Sequence, residues 1–537
     1  MSIVPIRDLG KFGVLTDVDP YNLPASAWSM GINVRFRNNA VSRAPVFRNV
    51  KGLDIADPRY VFGANPSSGL DFVFIGYANG QVSRYDNGFE YDYSAAAPGA
   101  AVEALYTHTN LASVVYVNRP DRAPWALGPS DARFKVLANW DPSWRAQLLR
   151  VCGGALVALN VTKGPTSFPT MVKTSSFPQS GTVPASWDHT VPNTLASENI
   201  LAEMRGGIVD AASLGNALVI YGNAEAWLMS PSGDTFVFEY RKLPFVKGAI
   251  NGNCVVEVEG KHYVFGPYDV WIHDGFTETS ICDGKTRDFI FNGLNLARSN
   301  RCFVTHNAKL KEIHFCYVSG DRGVFFLNTP SGCNRQAVYN YGSGVWTFDD
   351  LPMVYAADAV NLNVVVSYAT VAGTYESTGG SYLDQEDGYK RTVVYVGDTH
   401  AEYQLTRSLY AFDLYGPGST VVFGVDAKAT APVTLEKNGI DLDAIGADLR
   451  GYKVCSSIYP QGRLDPLAAP LSFSMGSADY FGSNPIFDTT QTYDGYELYK
   501  LDYRTAGRYL AMKMTYPDYR PFTITALDFD FDVQGTR

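Results

Sequence analysis

Apolar residues in this chain seldom recur at helical spacing. They come in runs of about four to seven, each cut off by Gly, Pro, Asn or Asp. Such runs, rich in aromatic and β-branched side chains, suit strands and leave little room for long amphipathic helices. The 34 Tyr, 30 Phe, 49 Gly and 29 Pro point the same way, since aromatic rings pack on pleated surfaces while Gly and Pro punctuate turns. A single core seldom grows past roughly 250–300 residues. A chain of 537 residues therefore implies more than one folded unit.

A degenerate repeat runs through the first two thirds. FVFIGYANGQVSRYDNG at 72–88, LVIYGNAEAWLMSPSG at 218–233 and YVFGPYDVWIHDG at 263–275 each give a strand, a Gly-containing turn, a second strand and a closing turn. A looser copy, VYNYGSGVWTFDD, lies at 338–350. Gly-turned hairpins repeated with drift predict a mainly β fold with a β-propeller; an ordinary β-sandwich whose hairpins share turn chemistry is the plainer alternative. Near 350–360 the texture shifts to Ala, Val and Thr, predicting a β-rich platform or sandwich domain to the end. The expected division is an N-terminal β segment at 1–50 for docking and ring closure, a propeller-like domain at 51–355 and a C-terminal β domain at 356–537. Polar stretches at 374–389 and 438–452 predict loops, and short helices are expected at 193–204 and 144–149. The closing strand, 526–533, alternates: Leu527, Phe529, Phe531 and Val533 face one way, and Asp528, Asp530 and Asp532 the other.

With 44 Lys+Arg against 54 Asp+Glu, the formal charge is −10. That is the wrong sign for a protein that grips nucleic acid by neutralising phosphates. No basic-then-apolar leader and no run of ~18–20 apolar residues is visible. Seven cysteines without CxxC spacing predict buried free thiols in a chain made in a reducing cytoplasm. Residues 1–50 invert the balance, with Arg7, Lys11, Arg35, Arg37, Arg43 and Arg48 against Asp8, Asp17 and Asp19. Strand alternation in Val34–Arg37 sets Arg35 and Arg37 on one face. That face is either solvated or a docking surface for an acidic partner.

Signals for chemistry are thin. Asp528, Asp530 and Asp532 at every second strand position could meet a divalent cation, but a polar outer face explains them as well. Cys302, His306, His314 and Cys316 are zinc-ligand types without the short Cys-x2–4-Cys knuckle, so core positions are the expectation. Phosphate loops, GxSxG and HExxH are missing. SPSGDTF at 230–236 lacks the residue order of a sialidase Asp-box. A glycosidase would need two carboxylates at fixed separation, and no pair stands out.

The stretch 13–50 resembles the N-terminal signature of tail nozzle proteins of short-tailed bacteriophages. It has Gly13 and Asp17, Leu23-Pro24, Trp28, Asn33-Val34-Arg35-Phe36 and the Asn38-Asn39 turn. Further likeness lies in Pro184 to Asp188, Gly206 to Ala211, Glu312 to Tyr317, Cys333-Asn334, Val338 to Trp346, Asp350 to Pro352, Gly507 to Leu510 and Gly535 to Arg537. Residues 360–500 carry no such likeness. The resemblance implies a propeller plus a β platform, assembled as a homohexamer beneath the head-to-tail adaptor in the virion tail. It would contact a tail fibre, spike or needle and let genomic DNA pass without specific binding. It brings no catalytic residues, cofactor or metal. Trp28, Arg35, Arg37, Arg43 and Arg48 would then be interfacial, and Asp528, Asp530 and Asp532 would line the channel. The alternative is a tail-associated propeller glycosidase or depolymerase acting on cell-surface polysaccharide.

Overall fold

A computed structural model describes residues 2–45, 48–49, 57–67, 71–86, 89–232, 237–320, 332–350, 353–361, 391–397, 407–411, 432–440, 442, 451–480, 482–518 and 520–534. The expected loop at 374–389, the motif residues 351–352 and 535–537, and much of 438–452 lie outside them.

The chain is mainly β, built as many small antiparallel sheets. Among the described residues, seven four-stranded units follow one another, the first six each a meander in which consecutive strands pair. The first comprises Pro58–Ala64, Phe72–Tyr77, Val82–Asp86 and Phe89–Asp92. The second is Thr107–Leu111, Val114–Asn118, Trp125–Leu127 and Lys135–Val136. The third joins Trp144–Cys152, Ala155–Lys163, Thr166–Thr174 and Ser197–Ile200; the fourth Asp210–Leu214, Ala217–Tyr221, Ala226–Pro231 and Phe238–Lys242. The fifth is Val255–Val258, Lys261–Phe265, Val270–His273 and Glu278–Ser280; the sixth Phe303–Asn307, Glu312–Tyr317, Arg335–Asn340 and Val345–Asp349. The seventh, Met353–Asn361, Arg391–Gly397 and Leu409–Ala411, takes its fourth strand from the other end of the chain, where Arg48–Asn49 pairs antiparallel with Ala411 and Tyr410.

The first strands of the units pack in series. From the second unit to the seventh each touches the next, and Met353–Asn361 of the seventh packs on Pro58–Ala64 of the first. The first and second units join through Tyr60, which stacks on Tyr106 at 5.6 Å and bonds to Nδ1 of His108. Many residues of these units are apolar and fully buried, such as Ile75, Leu148, Ile220 and Val264. Each is worth roughly 1.5–3 kcal/mol relative to exposure.

The repeats at 72–88, 218–233 and 263–275 are the second and third strands of the first, fourth and fifth units, and that at 338–350 the third and fourth of the sixth. Gly80 supplies the positive φ of +84° that the first of these turns needs. Neither expected helix forms. Trp144–Cys152 is a strand paired along its length with Ala155–Lys163. Pro192–Thr194 is a single 3-10 turn before the edge strand Ser197–Ile200, which pairs with Met171–Thr174. Pairing to distant strands outweighs a short apolar stripe. A seven-residue helix forms at Arg287–Gly293 instead.

The C-terminal strands form two sheets that interlock with the N-terminal segment. In one, Phe522–Val533 pairs with Lys453–Leu464 on one side and with Ser2–Ile6 and Ala40–Arg43 on the other, while Leu501–Gly507 flanks Lys453–Leu464. In the other, Met30–Ile32 bridges the sixth unit to Val433–Lys437, followed by Tyr509–Tyr516, Leu471–Ala478 and Ile486–Tyr493. Both sheets share one apolar cluster, including Phe473, Met512 and Met514 from one and Cys455, Ile458, Phe529 and Phe531 from the other. Segment 2–49 thus contributes to three sheets. No helix of the described residues is long and apolar enough to cross a membrane.

Candidate functional site

The N-terminal basic hairpin, Val34–Arg37 and Ala40–Arg43, turns through Asn38 and Asn39, both at positive φ. Arg35 is buried. Its guanidinium grips Asp349 in a fork, Nη1 to Oδ1 at 2.7 Å and Nη2 to Oδ2 at 2.6 Å, while Nε donates to Glu312 Oε1 at 2.9 Å. The side chains of all three groups are 1–2% exposed. Arg37 Nη2 donates to the same Glu312 oxygen at 2.6 Å, His314 Nε2 lies 3.2 Å from the other, and Gln336 donates to Asp349 at 2.7 Å. Burial pushes the Glu312 carboxyl up; Arg35, with His314 and Arg37, more than reverses this and holds it at about 2. A bidentate guanidinium–carboxylate pair combines charge with fixed geometry. Arg35 therefore locks the N-terminal strand to the sixth unit and has no surface to offer a partner. Arg37, with 29% of its side chain exposed, keeps an outward edge.

Two of the other expected interface residues, Trp28 and Arg43, also turn inward. Trp28 is buried, with Nε1 donating to the Leu9 carbonyl at 2.8 Å. Arg43 is buried, its guanidinium carbon 5.9 Å from the Tyr516 ring centre. Arg48 lies in the strand that completes the seventh unit. On the closing strand, Asp528 is held by Arg7 at 2.7 Å and by Gln461 at 2.7 Å, and Asp530 is buried. Leu527, Phe529 and Phe531 face the core as expected, whereas Val533 is exposed. The three aspartates are thus not a free acidic ladder: Asp528 is neutralised, Asp530 is covered, and Asp532 is part-exposed.

Cys302, His306, His314 and Cys316 fall on or beside two paired strands but do not converge. His306 meets Tyr341, His314 meets Glu312 and Tyr395, and the Cys316 thiol lies against Gln336. Among the described residues, His, Cys, Asp and Glu nowhere gather as a metal site. All seven cysteines are buried and unpaired, and burial raises the Cys302 thiol to about 12.

Sequence reading missed a buried relay between the fourth and fifth units. The Gly275 N–H donates to His273 Nδ1 at 3.0 Å, so His273 carries its proton on Nε2 and donates to Tyr221 Oη at 2.6 Å. Tyr221 in turn donates to His262 Nδ1 at 2.6 Å, and His262 Nε2 donates to the Ser213 carbonyl at 2.7 Å. Burial lowers His262 to about 4 and His273 to about 3, and burial raises Tyr221 well above its usual value. Every member is neutral near pH 7.

The starts of the first strands surround a pocket of about 470 Å³, with a rim at Glu103 and Asn300 and a floor at Tyr60 and Tyr106. Beneath it, Arg150 Nη2 donates to Asp210 at 3.0 Å and to Asn253 at 3.1 Å, and Tyr60 packs on Tyr355 at 4.4 Å. No protein-family model matches the chain, and no curated relative matches it.

Proposed function

We propose that the seven units are the blades of a β-propeller clasped by Arg48–Asn49, and that the chain is a structural subunit of the tail nozzle of a short-tailed phage. It works as a homohexameric ring below the adaptor, extending the DNA path and gating release of the genome. The observation that carries self-assembly is a pair of exposed apolar clusters at opposite ends of the C-terminal sheets. Tyr452 precedes strand Lys453–Leu464 and bonds through Oη to Asp479; beside it, Tyr480 is 76% and Val533 49% exposed. Towards the other end, Leu467, Tyr496 and Tyr499 are 75%, 63% and 77% exposed, and Tyr496 Oη donates to the Leu464 carbonyl at 2.7 Å. Twelve strand residues set Tyr452 and Tyr496 roughly 35–40 Å apart, with Tyr499 between them, its ring 6.4 Å from that of Tyr459. Two unlike sticky patches at opposite ends suit a head-to-tail contact, the kind that closes a ring.

A duplex could not pass a hub floored by Tyr60, Tyr106 and Tyr355, so in this reading DNA runs down the axis of the ring of copies. A charge of −10 per chain, about −60 for six, would repel phosphate along that axis.

The test is native mass measurement of the purified chain and of Tyr480→Asp and Tyr499→Asp. A closed hexamer is expected for the parent and monomers for each variant. An equimolar mixture of the two variants should give only heterodimers, because one good junction remains. A monomeric parent, or a variant that still closes rings, overturns the assembly. Antibody-gold on particles should mark the tip of a short tail; gold on lateral spikes would favour the polysaccharide-acting alternative.

A further inference from the structure

The axial pocket is used by nothing in the nozzle reading, and its chemistry is specific. Its walls combine Arg59 and Arg301 with Glu103 and Asp121, so the lining carries no net charge. Arg301 Nε is paired with Glu103 at 2.9 Å, and Arg119 grips Asp121 at 2.8 Å. Such internal pairing leaves neither an anion nor a cation hole. Amides fill the gaps: Gln147, Asn251 and Asn300 line the pocket. Asn251 spends its N–H on the Asn300 carbonyl at 2.7 Å, whereas the side-chain amides of Gln147 and Asn300 have no partner among the described residues. The Nη1 of Arg301 and the Nε of Arg59 are buried N–H donors without an acceptor there. Unspent donors and acceptors of both kinds, around an uncharged cavity, match a ligand that is itself neutral and offers many hydroxyls.

We propose that this pocket binds a neutral saccharide. A volume of about 470 Å³ lies within the range of small-molecule sites and admits one or two sugar rings. Vicinal hydroxyls both donate and accept, as the Gln147 and Asn300 amides require, and the charged pairs Glu103–Arg301 and Arg119–Asp121 stay intact. A phosphate or uronate would need a positive charge free of a carboxylate, and Arg59 and Arg301 are already paired with Asp57 at 3.2 Å and Glu103 at 2.9 Å. Binding here needs neither a ring of copies nor DNA, so it stands apart from the nozzle assignment.

Ligand-observed NMR and calorimetry on the full purified chain test it. The probes are glucose, galactose, N-acetylglucosamine, lactose and sucrose, with glucuronate and inorganic phosphate as charged counterparts. At least one neutral sugar should bind at millimolar concentration or tighter. Gln147→Leu and Asn300→Leu should each weaken it roughly tenfold, the loss of about one good hydrogen bond, with melting unchanged. Asn300 is exposed, so its variant retains the fold even if Gln147→Leu does not. Binding by only the charged probes, by none, or by sugars indifferent to both substitutions overturns the proposal.

Discussion

Replacing Arg35 by methionine removes a cation and keeps most of the volume. Asp349 then loses both arms of its fork and, of the partners described, keeps the Gln336 amide at 2.7 Å. Glu312 fares better, because Arg37 at 2.6 Å and His314 at 3.2 Å remain. The cost is thus concentrated on one stranded carboxylate with a 1% exposed side chain. Breaking a buried pair in this way costs roughly 3–5 kcal/mol. At about 2.1 cal/mol/K per residue, 537 residues melting as one unit give roughly 1 kcal/mol per degree, so Tm should fall about 3–5 °C. A larger fall would mean that a smaller part of the chain melts on its own. Adding Asp349→Asn to Arg35→Met removes the stranded charge and should recover about half the loss in denaturant titrations. Arg35→Lys, a point charge without the fork, should fall between parent and Met variant. A cost below about 1 kcal/mol for Arg35→Met, or a double variant no more stable than the single, refutes the clamp.

Acid should weaken the chain over a defined window. Burial lowers His108 to about 3, His262 to about 4 and His273 to about 3, below the unfolded value of about 6.5. The unfolded chain then binds more protons as pH falls through 6.5, so stability declines from there down to the folded values. At pH 5 each histidine costs about 2 kcal/mol. Urea midpoints at pH 7.5 and 5.0 should therefore differ clearly, and equal midpoints would show that these rings are not buried neutral. Gly248→Ala should also destabilise, by about 2–3 kcal/mol, since its Cβ would sit 1.9 Å from the Gly222 carbonyl oxygen. Gly164→Ala, with nothing within 4 Å, serves as the control and should cost about 1 kcal/mol through backbone strain alone; similar thermal shifts for both would refute the close approach.

What the sequence disclosed was local, and what it hid was the identity of distant partners. Alternation correctly set Asp528, Asp530 and Asp532 opposite Leu527, Phe529 and Phe531, and Gly222 and Gly266 correctly marked turns, whereas Gly76 lies inside strand Phe72–Tyr77. Alternation also gave Arg35 a face, but whether water or Glu312 covers that face depends on a strand 277 residues away. The helix at Arg287–Gly293 was missed for the same reason. Thr286, at its N-cap position, makes no side-chain cap bond; the cap comes from Asp17, whose carboxylate accepts from the N–H groups of Asp288 and Phe289 at 2.9 and 3.4 Å. Across 193–204 the sequence offers an apolar stripe, but pairing with Met171–Thr174 makes Ser197–Ile200 a strand. The pocket had no signature at all, because Arg59, Glu103, Gln147 and Asn300 come from four separate stretches.

The clasp between Arg48–Asn49 and Leu409–Ala411 also sets a schedule for biosynthesis. About 360 residues separate the two strands. At ~5–20 residues per second, the earlier strand leaves the ribosome some 20–70 s before its mate exists. Six complete meanders can form in that interval, while Arg48–Asn49, made at the outset, waits for the seventh unit. The seam that completes the seventh unit therefore joins early and late synthesis, and a chain stalled before residue 409 would be left with an open edge.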